Sequence, residues 1–434
     1  MKKIVRTTIR FLKKHLYFVV AAYFVFFARI YLRRWRPTII TATGSSGKTT
    51  MLHMFEAQLG ERACYSHHAN STFGIPFHIL GLERKSFKAY EWLVFALRAP
   101  FAAFRPVRSE QMYVTEADAE RPGEGTLLAR LLRSHIVVWL SLEEAHGIQY
   151  DGQTRTSEAA ELLHAIKVKM AKEFGEFVRQ AQTLVVLNMG NQYIAQEASS
   201  ARVPVIELSP KDTGMESVKR DSVSFTTPLG ILSSPHLVPP DAGLSLYAVA
   251  RVVQHLGLPF DLAFKKLTLP PGRSSVLRGM RDTTLIDSSY NATMDGMRTM
   301  LSLFARYPAA GEKWLVLGDM VEQGKSEAYE HAQLAAHIAA VRPHRIVLVG
   351  PRLAQYTKPV LEKESSETMI TAYNLPSEAY AYLARELKDG TTILFKGARY
   401  LEGIVERLLA DPSDAAKLCR RGTFWDAKRK QWGV

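Results

Sequence analysis

Cysteine is almost absent from this chain: its 434 residues include two, Cys64 and Cys419, far apart in sequence and outside any metal-type cluster. That excludes a disulfide-stapled scaffold and points to a reducing compartment. An uncharged run long enough to cross a bilayer is also lacking. Near the start, LYFVVAAYFVFFA from Leu16 to Ala28 supplies thirteen such residues, where a span needs roughly 20. No small-residue cleavage site follows it, so a cleaved signal peptide is not expected. Neither internal repeats nor low-complexity tracts occur. No RNA- or DNA-binding motif accompanies the basic runs, so nucleic acid is not an expected partner.

Acidic residues are the scarcer charge, 42 against 56 basic ones, for a formal net charge of +14. Such an excess suits an anionic partner, a nucleotide or a membrane surface. Much of it sits at the two ends, and Arg29, Arg33, Arg34 and Arg36 flank the apolar run at residues 16–28. A helix lying in or dipping into the inner leaflet, with arginines on lipid phosphates, fits that segment better than a full span. Its rival is a hydrophobic helix packed on the domain that follows. An apolar content of 47% with 23% charged residues is that of a globular protein, and the length exceeds one ordinary core, so two domains are expected.

The chemistry begins at IITATGSSGKTTMLHMFEAQLG, residues 39–60. β-Branched residues give way to Gly44, Ser45, Ser46, Gly47, Lys48, Thr49 and Thr50, and then Leu52, Phe55 and Leu59 recur at helical spacing. That pattern predicts a strand, a tight loop and a helix. Two glycines let the loop curl its N–H groups inward, and the helix N-terminus adds positive potential, so a polyphosphate is held there. Lys48 reaches the terminal phosphates, and the Thr49 hydroxyl a Mg²⁺. Ala42 stands where the longer phosphate-loop pattern has glycine, so the match is to Gly-x-x-Gly-Lys-Thr-Thr.

Downstream, residues 69–76 read as a turn-rich stretch with an exposed Asn70, and Glu116 ends a short strand, where open parallel sheets place their ligand crevice. Residues 77–111 hold an aromatic and basic insertion without an evident reading. Strands at 134–142 and 183–187 flank a helix at 157–180 that carries Lys167, Lys169 and Lys172. A helix over 244–256 precedes Pro270-Pro271-Gly272, the expected domain boundary. Alternation then restarts, with strands at 283–289, 314–320, 345–350 and 391–397 and helices at 295–306 and 326–341. Such alternation argues parallel α/β sheets.

Several of these stretches together resemble the Mur ligase family, ATP-dependent enzymes that build the peptide stem of bacterial cell wall, and within it the members that add D-alanyl-D-alanine. TGSSGKTT at 43–50 is similar to the family phosphate loop, and NSTFGIP at 70–76 to its Asn-x-x-x-Gly-x-Pro segment. EADAERPGE at 116–124, IDSSYNATMDGMRTML at 286–301, LVLGDMVEQGKSEAYEH at 315–331 and FKGAR at 395–399 resemble further signatures. The resemblance covers about residues 38–410. It implies an α/β fold: a P-loop-type ATPase domain with a parallel sheet over 38–271, then a smaller Rossmann-like domain over 272–410. The hydrophobic basic segment 1–37 and a basic tail 411–434 flank them.

The resemblance also implies a reaction. A carboxylate acceptor attacks the γ-phosphate of ATP, and an amino acid or dipeptide displaces phosphate from the acyl phosphate to form an amide, in the cytoplasm at the inner face of the membrane. Lys48 then binds phosphates; Thr49 and Glu116 hold one Mg²⁺, with His146 near a second. Lys172 is the carbamylated lysine, with Lys169 its rival. Arg273 reaches the nucleotide phosphates, Asp287 and Asn291 line the nucleotide side of the second domain, and Lys396 stabilises the acyl phosphate or the incoming amino acid.

Departures from the family pattern accompany it. Ser288 stands for an expected aspartate, Ser141 for an expected asparagine, and the adenine-contacting asparagine near residue 243 is not evident. Only 37 residues precede the ATPase core, where members using a UDP-linked substrate carry a whole domain, so the acceptor is expected to be held differently. A ligase for another polymer and a non-catalytic, membrane-associated nucleotide-binding protein are the rival readings.

Overall fold

The structure, a computed structural model, describes residues 2–84, 90–119, 121–143, 159–321, 323–364 and 368–434. It divides into two compact units, Met1–Leu142 with Val168–Leu208, and Glu143–Lys167 with Ser209–Val434.

The first unit opens with helix α1 (Lys2–Trp35), followed by β1 (Thr38–Thr43), α2 (Lys48–Leu59), β2 (Ala63–Tyr65), α3 (Gly74–Leu80), α4 (Tyr90–Ala102), β3 (Met112–Ala117), α5 (Glu124–Leu132), β4 (Ile136–Trp139), α6 (Ala159–Gln180), β5 (Leu184–Asn188), α7 (Gln192–Ala198) and β6 (Val205–Leu208). The six strands form one parallel sheet in the order β2-β3-β1-β4-β5-β6. Continuous apolar runs such as IVVW and LVVLN are what a sheet covered on both faces requires.

One face of α1 belongs to this core. Ala21, Phe24, Val25, Ala28, Tyr31, Leu32 and Trp35 recur at helical spacing and are buried. Phe24 meets Phe77 edge-on at 4.8 Å, and the Trp35 indole donates to the Glu110 carbonyl at 2.8 Å. Burying Phe24, Tyr31 and Trp35 alone is worth on the order of 5 kcal/mol. The segment Leu16–Trp35 is long and apolar enough to cross a membrane, yet this face is already committed to the domain, which is the packed arrangement that stood as the rival.

The uninterpreted insertion contains α4. The stretch at 69–76 is a turn leading into α3, with Pro76 accommodated in the helix's first turn. Asn70 is partly buried rather than exposed, because its carbonyl accepts from the Asp118 N–H at 2.9 Å.

The second unit carries β7 (Gly214–Val218), β8 (Val223–Thr227), β9 (Gly230–Ser234), α8 (Ala242–His255), β10 (Ser275–Arg278), β11 (Thr284–Ser288), α9 (Met294–Arg306), β12 (Lys313–Gly318), α10 (Glu327–Ala339), β13 (Arg345–Val349), α11 (Lys358–Glu364), β14 (Met369–Tyr373), α12 (Pro376–Glu386), β15 (Thr392–Lys396), α13 (Leu401–Leu408) and α14 (Thr423–Gln431). Its larger sheet runs β10-β11-β15-β12-β13-β14, parallel except for β10. The expected alternation is broken by β7-β8-β9, an antiparallel meander whose strands are short and polar. The basic C-terminal segment is folded into this unit: Arg420 pairs with buried Glu402 at 3.0 Å, and Arg421 with Glu406 at 2.7 Å.

Candidate active site

The loop after β1 is shaped by its two glycines. Gly44 has φ 125° and Gly47 φ 75°, the left-handed half of backbone space that side chains strain to enter. A Cβ on Gly44 would lie 2.6 Å from the Ser141 carbonyl oxygen, whereas one on Gly47 would meet nothing within 4 Å. Ser141 braces the loop from β4: its hydroxyl accepts from the Ser46 N–H at 3.0 Å and donates to the Ser46 carbonyl at 2.8 Å. Its carbonyl accepts from the Ser45 N–H at 3.2 Å. The residue that departs from the family pattern is thus the loop's buttress. No side chain caps the N-terminus of α2, which leaves that positive end for an anion.

Lys48 is buried and folds over the loop, its ammonium 2.5 Å from the Gly44 carbonyl and 2.7 Å from Asp118 Oδ1. The Thr49 hydroxyl donates to Glu116 Oε2 at 2.8 Å. Both carboxylates come from the end of β3, whose register against β1 sets Ala42 beside Glu116. Glu116 is buried, and its N–H donates to the Ser66 hydroxyl at 3.3 Å. Asp118 went unnoticed in the sequence, although it stands two residues after Glu116, the spacing that returns a side chain to the same side of an extended chain.

Further carboxylates stiffen the approach. Glu124 accepts from the Thr72 N–H at 3.0 Å and from its hydroxyl, and Glu173 accepts from Gly123 N–H at 2.6 Å and Gly125 N–H at 3.1 Å. Burial pushes the carboxyls of both Glu124 and Glu173 up from their ordinary range. Lys172 lies exposed on α6, and its side chain makes no ion pair among the described residues. Thr50 is half-buried at the start of α2. His146 lies outside the described residues.

In the second unit, the parallel strands β11, β12 and β15 end together, with Lys396 opposite Ser288 on one side and Leu317 on the other. The Lys396 ammonium donates to the Asn291 carbonyl at 2.6 Å. Burial, reinforced by the Arg273 guanidinium, pulls its pKa down to about 8. Asp287 is fully buried; Oδ1 accepts from the Ser289 N–H at 3.0 Å, and burial raises its pKa. Arg273 lies 5.0 Å over the Tyr290 ring, and Arg420 donates to the Tyr290 carbonyl at 2.7 Å. The structure therefore gathers Arg273, Asp287, Asn291 and Lys396 around one turn.

Asp319 is a residue the sequence reading passed over. Fully buried, it accepts from Arg399 Nη2 at 2.7 Å and Nε at 2.9 Å, tying the LGDM and FKGAR stretches together. Gly318 and Gly397 meet backbone to backbone there, and neither position has room for a Cβ.

The donor set suits a nucleotide with a hard divalent cation. Two positive-φ glycines form a cradle, an uncapped helix end faces it, and Thr49 with Glu116 offers paired oxygen ligands of the kind Mg²⁺ takes.

Comparison with known proteins gives a consistent setting. Residues 272–399 match the family described as Mur ligase, glutamate ligase domain. The UDP-N-acetylmuramoyl-tripeptide–D-alanyl-D-alanine ligase of Bacillus subtilis (strain 168) is 22% identical over 89% of this chain and 79% of its own. Its counterpart from Mycobacterium tuberculosis (strain CDC 1551 / Oshkosh) is 26% identical over 86% and 73%. Among solved structures, the MurF ligase of Thermotoga maritima in complex with ADP superposes with a TM-score of 0.68 at 20% identity, covering 89% of this chain and 82% of that one.

Proposed function

We propose, from the premise that this chain is a Mur ligase by its fold and its C-terminal domain, that it is an ATP- and Mg²⁺-dependent ligase joining D-alanyl-D-alanine to a UDP-N-acetylmuramoyl-tripeptide. One observation carries the reading: the buried Lys48 and its neighbour Thr49 follow the glycine-shaped loop directly, and Thr49 meets Glu116 from the end of β3, joining phosphate binding to cation binding.

In this reading the acceptor's carboxylate oxygen bonds to the γ-phosphorus as the bond to ADP breaks. The amine nitrogen then bonds to the carbonyl carbon, phosphate leaves with the acyl oxygen, and the amine proton passes to solvent. Gly44 to Thr50 and Lys48 hold the phosphates, so that positioning and charge neutralisation supply most of the acceleration. Thr49 and Glu116 would hold one Mg²⁺, with His146 near a second, and the bound cation would neutralise phosphate charge. Lys48 leaves Asp118 for the nucleotide, and Asp118 holds it in place until then. Lys172, with Lys169 as rival, carries the carbamate. Arg273, Asp287 and Asn291 serve the nucleotide, and Lys396 serves the acyl phosphate or the incoming dipeptide. The protein works in the cytoplasm at the inner face of the membrane.

Phosphate release from ATP tests this reading. It should require Mg²⁺, the muramoyl tripeptide and D-alanyl-D-alanine together, and Lys48→Ala should abolish it without unfolding the protein. Undiminished turnover by that variant would remove the loop from the mechanism.

A further inference from the structure

The first unit exposes an apolar surface that its fold does not use. Along α4, Tyr90, Leu93, Val94, Leu97 and Phe101 recur at helical spacing and point outward, with exposed Phe104 just beyond the helix end, Phe101 being 80% exposed and Leu93 66%. On α1, the side opposite the buried stripe bears Leu16, Val19, Tyr23 and Phe26, all exposed. The two helices lie side by side: the Tyr23 hydroxyl donates to the Ala96 carbonyl at 2.7 Å, and Arg34 sits 5.8 Å over the Phe104 ring. A contiguous face of this kind marks an interaction surface.

Beyond Phe26 the same helix changes character. Arg29, Arg33 and Arg36 follow, and with Arg130 and Arg133 they line an open cavity of about 590 Å³ that holds no carboxylate. None of the five is ion-paired among the described residues. Arg36 and Arg133 take left-handed backbone conformations, φ 55° and 40°, where α1 and α5 end. Leu32, Leu131 and Leu132 add apolar wall. The cavity also includes Ile39 and His135, at the N-terminal ends of β1 and β4. It therefore lies at the opposite end of the sheet from the phosphate loop and is not part of the nucleotide site.

We propose that this arginine-lined cavity binds the phosphate headgroup of an anionic lipid, while the outward faces of α1 and α4 lie in the acyl layer beneath it. The proposal rests on the membrane location given above and names what makes the contact. Complementary charge selects the occupant: α1 has no acidic residue, and the single one in α4, Glu91, is buried. Such a face fits a fluid acyl layer, which needs no matching pockets; a protein partner would have to supply them. The helices lie in the interface and do not cross it, because the inner face of α1 is held in the core.

Flotation of the full-length protein with vesicles tests this. Vesicles containing phosphatidylglycerol should carry it, and pure phosphatidylcholine vesicles should not. Replacing Arg33, Arg130 and Arg133 by Gln, or Leu93, Leu97 and Phe101 by Glu, should each lower the bound fraction about tenfold or more. An unchanged ATP-induced thermal shift shows that the variants are folded. Wild-type binding by the Glu variant would overturn the role of α4, and wild-type binding by the Gln variant that of the cavity. Titration of inorganic pyrophosphate separates the sources: binding that needs the same arginines, without vesicle binding, would make the ligand a soluble anion and overturn the lipid. Lipid-free dimerisation lost in the Glu variant, without vesicle binding, would make a second copy the occupant and overturn it too. Ligase activity is read on the same samples without vesicles, so failure of either reading leaves the other standing.

Discussion

Asp118→Asn isolates the electrostatics of the phosphate loop. Lys48 Nζ lies 2.7 Å from Asp118 Oδ1, and the two side chains are only 10% and 8% exposed. Removing one partner of a buried pair costs about 3–5 kcal/mol, because the other charge stays in a poor solvent. Lys48 retains the Gly44 and Ser45 carbonyls as acceptors, which places the loss near the lower end, about 3 kcal/mol. For a unit of this size that corresponds to a fall in Tm of roughly 6–12 °C. Bound ATP supplies the missing countercharge, so saturating nucleotide should raise the variant's Tm more than the wild type's and narrow the gap. Differential scanning fluorimetry with and without Mg-ATP reads both effects. A nucleotide-free variant as stable as wild type, or a deficit that ATP leaves untouched, would refute the idea that Asp118 holds Lys48 in reserve for phosphate.

Two further expectations concern the loop and the second unit. Gly44→Ala forces a side chain into φ 125° against the Ser141 carbonyl, whereas Gly47→Ala at φ 75° meets open space; the first should abolish ATP binding by calorimetry and the second weaken it by the left-handed penalty of about 1–2 kcal/mol, and the reverse order would contradict the cradle. Lys396 has its pKa lowered from 10.5 to about 8 by burial. Below that pH both folded and unfolded chains hold the proton and the burial cost stands in full; from about 8 to 10.5 the unfolded chain holds more protons, so this group's contribution to stability rises with pH. Activity that needs the ammonium should therefore fall above pH about 8 while stability does not. Lys396→Arg, which stays charged, should move that alkaline limb upward, and an unmoved limb would assign it to another group.

Much of the loop was legible because its signals are local. Glycine spacing, the small residues before Lys48 and the apolar period of α2 all lie within twenty-two residues, 39–60. Its partners were not, because they arrive through strand register: Ser141 stands 95 residues from Ser46, and Asp118 reaches Lys48 only because β3 pairs with β1. Asp319 and Arg399, 80 residues apart, are joined in the same way by β12 and β15. The insertion that contains α4 resisted reading because its apolar stripe faces outward, against the rule that such a stripe seeks the core. The meander β7-β8-β9 has too little apolar alternation to announce strands; β7, Gly214–Val218, has no fully buried residue.

In the proposed function this chain makes an amide bond at the expense of ATP. Mass spectrometry of a reaction containing wild-type protein, Mg-ATP, UDP-N-acetylmuramoyl-tripeptide and D-alanyl-D-alanine tests it most directly. The condensed product is expected, with one ADP and one phosphate for each amide formed and none from Lys48→Ala. ATP bound by the protein, with neither product nor phosphate released in the presence of both substrates, would contradict it.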